Sequence, residues 1–121
     1  MKTVIFNQGF NRVEHHQIIC LERAKLYRLL DEERRITETL AGSIKRKIEA
    51  APNLLTDLQT AWNKIQNHAF LKTVRERINL LTDAYPQFAG QVETARRRLK
   101  NRILESLEIA KFLARTATVC P

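Results

Sequence analysis

Five of the seven residues from Arg96 to Arg102 are cations: Arg96, Arg97, Arg98, Lys100 and Arg102. No acidic residue falls between Thr94 and Leu104. Guanidinium groups present forked donors that match phosphate oxygens, and a dense run of them is a natural ligand for a polyanion. On a helix, Leu99 and Ile103 point to one side and the five cations fan over the rest. Helical spacing pairs Arg97 with Glu93 and Arg102 with Glu105, which leaves Arg96, Arg98 and Lys100 without a local acid. Two further clusters follow the same logic: Lys45, Arg46 and Lys47, and then Lys72, Arg75 and Arg77. A competing reading makes each of them a solvated face, or one matched by carboxylates on a neighbouring helix.

Other chemistries are poorly supplied. Stacking of bases needs exposed rings among the cations. Trp62, Phe70 and Phe112 fall on or beside apolar stripes, where core packing is expected, and Tyr27 between Lys25 and Arg28 is the best candidate for an exposed ring. His16 and Cys20 are one helical turn apart, but two ligands do not make a zinc site. Nucleophilic catalysis through Cys20 would need a His from outside its own turn and an oxyanion site, and three glycines leave little to shape one. Glu32 and Glu33 are adjacent and point apart on a helix. No phosphate-cradling loop or His-Glu-x-x-His is present. The expectation is a non-enzymatic protein with no cofactor and no metal.

These residues are positioned by helices. From Arg12 to Ala51 there is no proline, and Ile19, Leu26, Leu29, Leu30, Ile36, Leu40, Ile44 and Ile48 recur at helical spacing. Asp31, Glu32 and Glu33 resemble the acidic first turn of a new helix, but no Gly or Pro supports a break there. A second helix is predicted over 53–84, capped near Pro52-Asn53 and ended by Tyr85-Pro86. Its stripe runs Leu55, Leu58, Trp62, Ile65, Ala69 and then shifts to Phe70, Val74, Ile78, Leu81; the shift near Asn67-His68 resembles a stutter. A third helix is predicted over 88–117 with Val92, Ala95, Leu99, Ile103, Leu107, Ala110, Leu113 and Ala117 as its stripe. Leu104, Ile109 and Phe112 widen that stripe enough for two neighbours. Residues 1–11 carry the only strand character, in Val4-Ile5-Phe6, and read as an extended arm; 118–121 read as a tail.

Short connections at 51–53 and 84–90 make consecutive helices antiparallel. The fold class is therefore all-α: an elongated antiparallel bundle of three long helices, or four if the first breaks near Asp31. The two forms place Cys20 and Cys120 differently, toward opposite ends of a three-helix rod or within reach in a four-helix bundle. At 121 residues the chain fits a single helical domain.

Composition bounds the function class. There are 21 Lys and Arg against 13 Asp and Glu, giving a net charge of +8 and a pI near 10.0. That excess favours polyanionic or acidic partners and says nothing about fold. Apolar residues at 44% argue against global disorder. No apolar run approaches the ~20 residues of a membrane span. Two distant cysteines form no disulfide framework, which points to a reducing, cytoplasmic location. The expected function is binding of nucleic-acid backbone, DNA or RNA, or service as a small subunit of a nucleoprotein complex. The alternative is a protein–protein interaction module (adaptor, chaperone or inhibitor) that recognises a partner, including an acidic one, through helix faces. Homo-oligomers are compatible with either.

Overall fold

The computed structural model of the chain describes residues 2–51 and 57–119, with side chains described over 12–51 and 57–116. Its described elements are four α-helices and one 3-10 turn: α1 (Lys2–Ala50), α2 (Leu58–Gln66), α3 (Ala69–Ala84), the turn Pro86–Phe88, and α4 (Ala89–Val119). No strand occurs among the described residues.

Helix α1 runs unbroken for 49 residues, roughly 73 Å of rise. The extended arm expected over 1–11 is corrected: the backbone is helical from Lys2. A lone strand has no ladder for its N–H and C=O groups, whereas a helix pairs them internally. Once a helix is nucleated, each added residue gains one bond at little further cost. The acids around Asp31 do not start a new helix. Asp31 instead holds Arg34 at 2.6 Å and Arg35 at 3.0 Å, and Arg34 also binds Glu38 at 2.9 Å, all within one continuous helix surface.

The predicted second helix is two helices, and the stutter is a break. Helix α2 opens on Asp57, whose carboxylate accepts from Gln59 N at 3.2 Å and from Thr60 Oγ1 at 3.1 Å. It closes at Asn67, whose N–H donates to Asn63 O at 3.0 Å. His68 then adopts an extended backbone and its Nδ1 accepts from Phe70 N at 3.2 Å, capping α3. The break resets the buried face: Ala61, Trp62 and Ile65 are buried on α2, and Leu71, Val74 and Ile78 on α3. The expected stripe through Ala69 and Phe70 is therefore one residue out, and Phe70 is 67% exposed. A stripe of Phe70, Val74 and Ile78 advances by four each time and drifts around the helix, whereas Leu71, Val74 and Ile78 alternate three and four. The Pro52-Asn53 cap, Leu55 and Cys120 lie outside the described residues.

Helices α1 and α4 run parallel. Tyr27 meets Gln91, Glu33 meets Arg96 and Glu38 meets Arg102, with a nearly constant sequence offset. Helix α3 runs the other way: Arg23 lies over Phe88 while Glu33, further along α1, binds Arg75. Thus α2 and α3 together form the descending limb between two parallel rods. Leu26, Leu71, Ile78 and Phe88 are fully enclosed at its centre. The start of α4 is fixed by Pro86, which suits a first helical turn, and by Phe88, which packs on Tyr85 at a ring distance of 5.3 Å.

Gly42 lies inside α1, and a Cβ added there meets nothing within 4 Å. Gly42→Ala is therefore expected to stabilise the fold by about 0.5–1 kcal/mol through helix propensity, read as a higher midpoint in urea. Leu26→Ala, at a residue with no exposed surface, is expected to cost about 2–5 kcal/mol in the same titration.

Candidate nucleic-acid interface

Glu33 is the one acidic residue among the buried side chains described, at 1% exposure. Its adjacent partner Glu32 is exposed, as neighbours on a helix must diverge. Glu33 Oε1 accepts from Arg75 Nε at 3.2 Å and from Arg96 Nε at 3.0 Å. One carboxylate on α1 thus joins α3 and α4. Arg75 also donates to Gln66, through Nη1 to the backbone carbonyl at 3.1 Å and through Nη2 to Oε1. Gln66 is the last residue of α2, where carbonyls lack helical partners and the helix dipole is negative. Two cations against one carboxylate are therefore completed by a helix end. Thr37, also buried, donates from Oγ1 to the Glu33 carbonyl at 2.6 Å and leaves no unpaired hydroxyl beside the clamp.

This clamp commits the Nε groups of Arg96 and Arg75 to Glu33, while Arg96 still lines the groove between α1 and α4. Local spacing gives Glu93 to Arg97 and leaves Arg96 without a free acid; its acid comes from another helix. Arg96 Nη2 is screened from solvent and has no hydrogen-bond partner among the described residues. Lys100 is also engaged, with Nζ 5.8 Å from the Trp62 ring centroid. Arg102 approaches Glu38 at 3.9 Å rather than Glu105, and no described ion pair joins Arg97 to Glu93. Arg97 and Arg98 are exposed, about 100° apart around α4.

Cations gather along the seam between α1 and α4 and on the α1 surface beside it. A groove of about 820 Å³ is lined by Arg34, Arg98 and Arg102, with Asp31 on its wall. A smaller one continues from it, sharing Arg102 and adding Lys45 and Glu38. A third shares Glu38 and Gly42 and adds Arg35 and Arg46. Seven cations thus line these grooves, Arg34, Arg35, Lys45, Arg46, Arg96, Arg98 and Arg102, against the carboxylates of Asp31, Glu33 and Glu38. Two of the three expected clusters therefore share one face in part. Lys47, also exposed, points elsewhere on α1, and Lys72 and Arg77 sit exposed on α3 away from the seam. The hydrogen bond from Arg34 holds the Asp31 carboxyl below the usual carboxylate range, and Asp31 in turn raises Arg34, so both stay charged at neutral pH. Arg34 and Arg35, which belong to none of the expected clusters, were masked in the sequence by the acids among which they lie.

Of the rings, Tyr27 is exposed at 52% and sits on the groove wall, where Gln91 Nε2 donates to its hydroxyl at 3.2 Å. Trp62 is buried as expected. Phe112 is not: it is 67% exposed, with Ile109 and Leu113 beside it, so the broad stripe of α4 meets no second neighbour there among the described residues. Cys20 is free and exposed, its Sγ 3.8 Å from His16 Nε2. No group of three His, Cys, Asp or Glu side chains comes together among the described residues. Nor is any described helix long and apolar enough to cross a membrane.

No protein-family model matches this chain, and no curated protein or solved structure matches it either.

The Glu33 clamp yields a direct test. Glu33→Ala leaves two guanidinium groups without their carboxylate and is expected to cost about 3–5 kcal/mol in urea unfolding. Glu32→Ala, one residue away and exposed, is expected to stay within about 0.5 kcal/mol of the parent. Equal effects of the two would show that the clamp does not hold the bundle.

Proposed function

We propose that this protein binds the phosphate backbone of nucleic acid along the α1–α4 seam, alone or as a small subunit of a nucleoprotein complex. The observation that carries this reading is the adjoining of the grooves, which together are lined by seven cations and three carboxylates. From Tyr27 to Arg46 the seam follows about 29 Å of helix. One strand of a B-form duplex carries roughly eight phosphates over that length. Charges already paired, such as Arg34 and Arg35, orient their neighbours, while Arg98, Arg46 and Lys45 offer donors at the rim. The contacts are to phosphates, so sequence preference is weak and affinity depends strongly on salt.

An interaction module, adaptor, chaperone or inhibitor, is the second reading. It is favoured by the exposed apolar set Ile109, Phe112 and Leu113 near the end of α4, which a nucleic-acid backbone would not use.

Fluorescence anisotropy with a duplex and with single-stranded RNA tests the first reading. About four net phosphate contacts give a logarithmic salt slope near −3.6 on duplex, or roughly a hundredfold loss of affinity between 50 and 200 mM salt. Arg98→Ala and Arg46→Ala are each expected to flatten that slope by about 1. Gly42→Glu, which has room in the helix and sets a carboxylate in the seam, is expected to weaken binding at least about tenfold with the circular dichroism unchanged. Arg97→Ala, off the seam, is expected to have a smaller effect than Arg98→Ala. Absence of binding to any nucleic acid at 50 mM salt, or equal sensitivity to Arg97 and Arg98, would defeat the reading.

A further inference from the structure

The first turns of α1 with described side chains stand apart from the bundle. Every residue from Arg12 to Ile18 is exposed, and Ile19 is the first α1 side chain packed on the core cluster. Arg23 is level with the turn at Phe88, and Tyr27 is level with Gln91 near the start of α4. Helix α1 thus begins well before the helices that cover the rest of it.

On this stretch one face carries a spacing of four, three and four: Val13, Gln17, Cys20 and Ala24, all exposed. At 100° per residue these positions fall within about 60° of one another. They lie on the side of α1 opposite Ile19, Leu26 and Leu30, which turn to the core. The spacing continues forward to Tyr27, on the groove wall. Val13 to Tyr27 is two heptads, with Gln17 and Ala24 in one core position and Val13, Cys20 and Tyr27 in the other. Leu21 flanks the seam at 64% exposure. None of these positions is charged until Arg28 on the same side of the helix.

We propose that a second copy of this chain docks on this face, so that two α1 helices pair through it as a coiled coil. A seam spaced four and three is complementary to a helix with the same spacing, because each knob needs a hole made by four residues of the facing helix. The described apolar stripes of α2 and α3, and of α4 from Val92 to Leu107, are already buried inside the bundle. What is left with that spacing and no cover is the same α1 face on another molecule. Charge points the same way. Two molecules of net charge +8 repel over most of their surface, and this uncharged strip is where they approach without opposing like charges. Gln17 is the one polar core position, the kind of residue that fixes register at a cost in stability. This interface lies on the same face of α1 as the groove, in the turns before it, and it uses none of the groove cations.

Sedimentation velocity of the full chain between 1 and 100 µM is the test. A dimer is expected, dissociating on dilution. Val13→Glu with Leu21→Glu, both exposed and therefore harmless to the core, is expected to give a monomer with unchanged helical circular dichroism. Phe112→Glu, on the other exposed apolar set, is expected to remain dimeric. A parent protein that is monomeric at 100 µM overturns the proposal, including the case in which a different protein occupies the face. So does a dimer that survives Val13→Glu with Leu21→Glu but is lost in Phe112→Glu. Anisotropy on the monomeric variant separates this result from the phosphate-binding one, because one-site binding at the α1–α4 seam needs no second copy.

Discussion

A single buried carboxylate sets the geometry of this bundle. Glu33 is held by Arg75 and Arg96, and these three residues come from three different helices. Apolar stripes alone permit helices to slide and rotate by a turn with modest loss, since Leu, Ile and Val are interchangeable over much of a core. A buried ion does not permit that, because any register that separates it from its partners leaves a charge unpaired in a poor dielectric. The clamp is therefore a specificity device more than a source of net stability. It also reaches the end of α2 through Arg75 and Gln66, so the break in the descending limb and the register of α1 against α4 are fixed at one point.

The clamp also shapes the candidate interface. By drawing Arg96 inward, it splits a run that is continuous in sequence. Arg97 goes to one side of α4, while Arg98 and Arg102 face α1. There they meet Arg34, Arg35, Lys45 and Arg46, and the patch that results is assembled across two helices rather than along one. Because α1 and α4 run parallel with a constant offset, each cation of α4 keeps a fixed level against α1, and the grooves join end to end. Asp31 and Glu38 within the patch hold Arg34 in place through hydrogen bonds that need no distant support.

Besides Phe70 and Leu80 on α3, exposed apolar side chains gather in two places among the described residues. One is the leading part of α1, where the seam of Val13, Cys20 and Ala24 has heptad spacing. The other is the trailing part of α4, where Ile109, Phe112 and Leu113 are close together but spaced one and three apart, with no repeat. The difference matters physically: a repeat selects another helix, whereas a compact cluster accepts any apolar partner of the right shape. On the proposed readings, the basic seam takes a polyanion, and the uncharged strip that precedes it on α1 takes a second copy of the chain.

The sequence by itself determined the all-α class, the helical course of residues 12–50, the end of the descending limb at Tyr85-Pro86 and the core placement of Leu26, Trp62, Ile78 and Leu99. These follow from periodicity and from breaker chemistry, which act between residues a few positions apart. Only the tertiary structure decided which cations are free, since Arg96 and Arg75 are neutralised by a residue 63 and 42 positions away. It likewise decided that Phe70 and Phe112 face water, because a stripe wider than its neighbour leaves its edge uncovered and local spacing does not say which edge. The break at Asn67-His68 was visible as a shift of phase, but its resolution into two capped helices rested on a histidine cap and on Arg75 meeting the freed carbonyl. Local pattern chooses the elements; the pairing of charges across them depends on how they pack, and that pairing sets which charges stay at the surface.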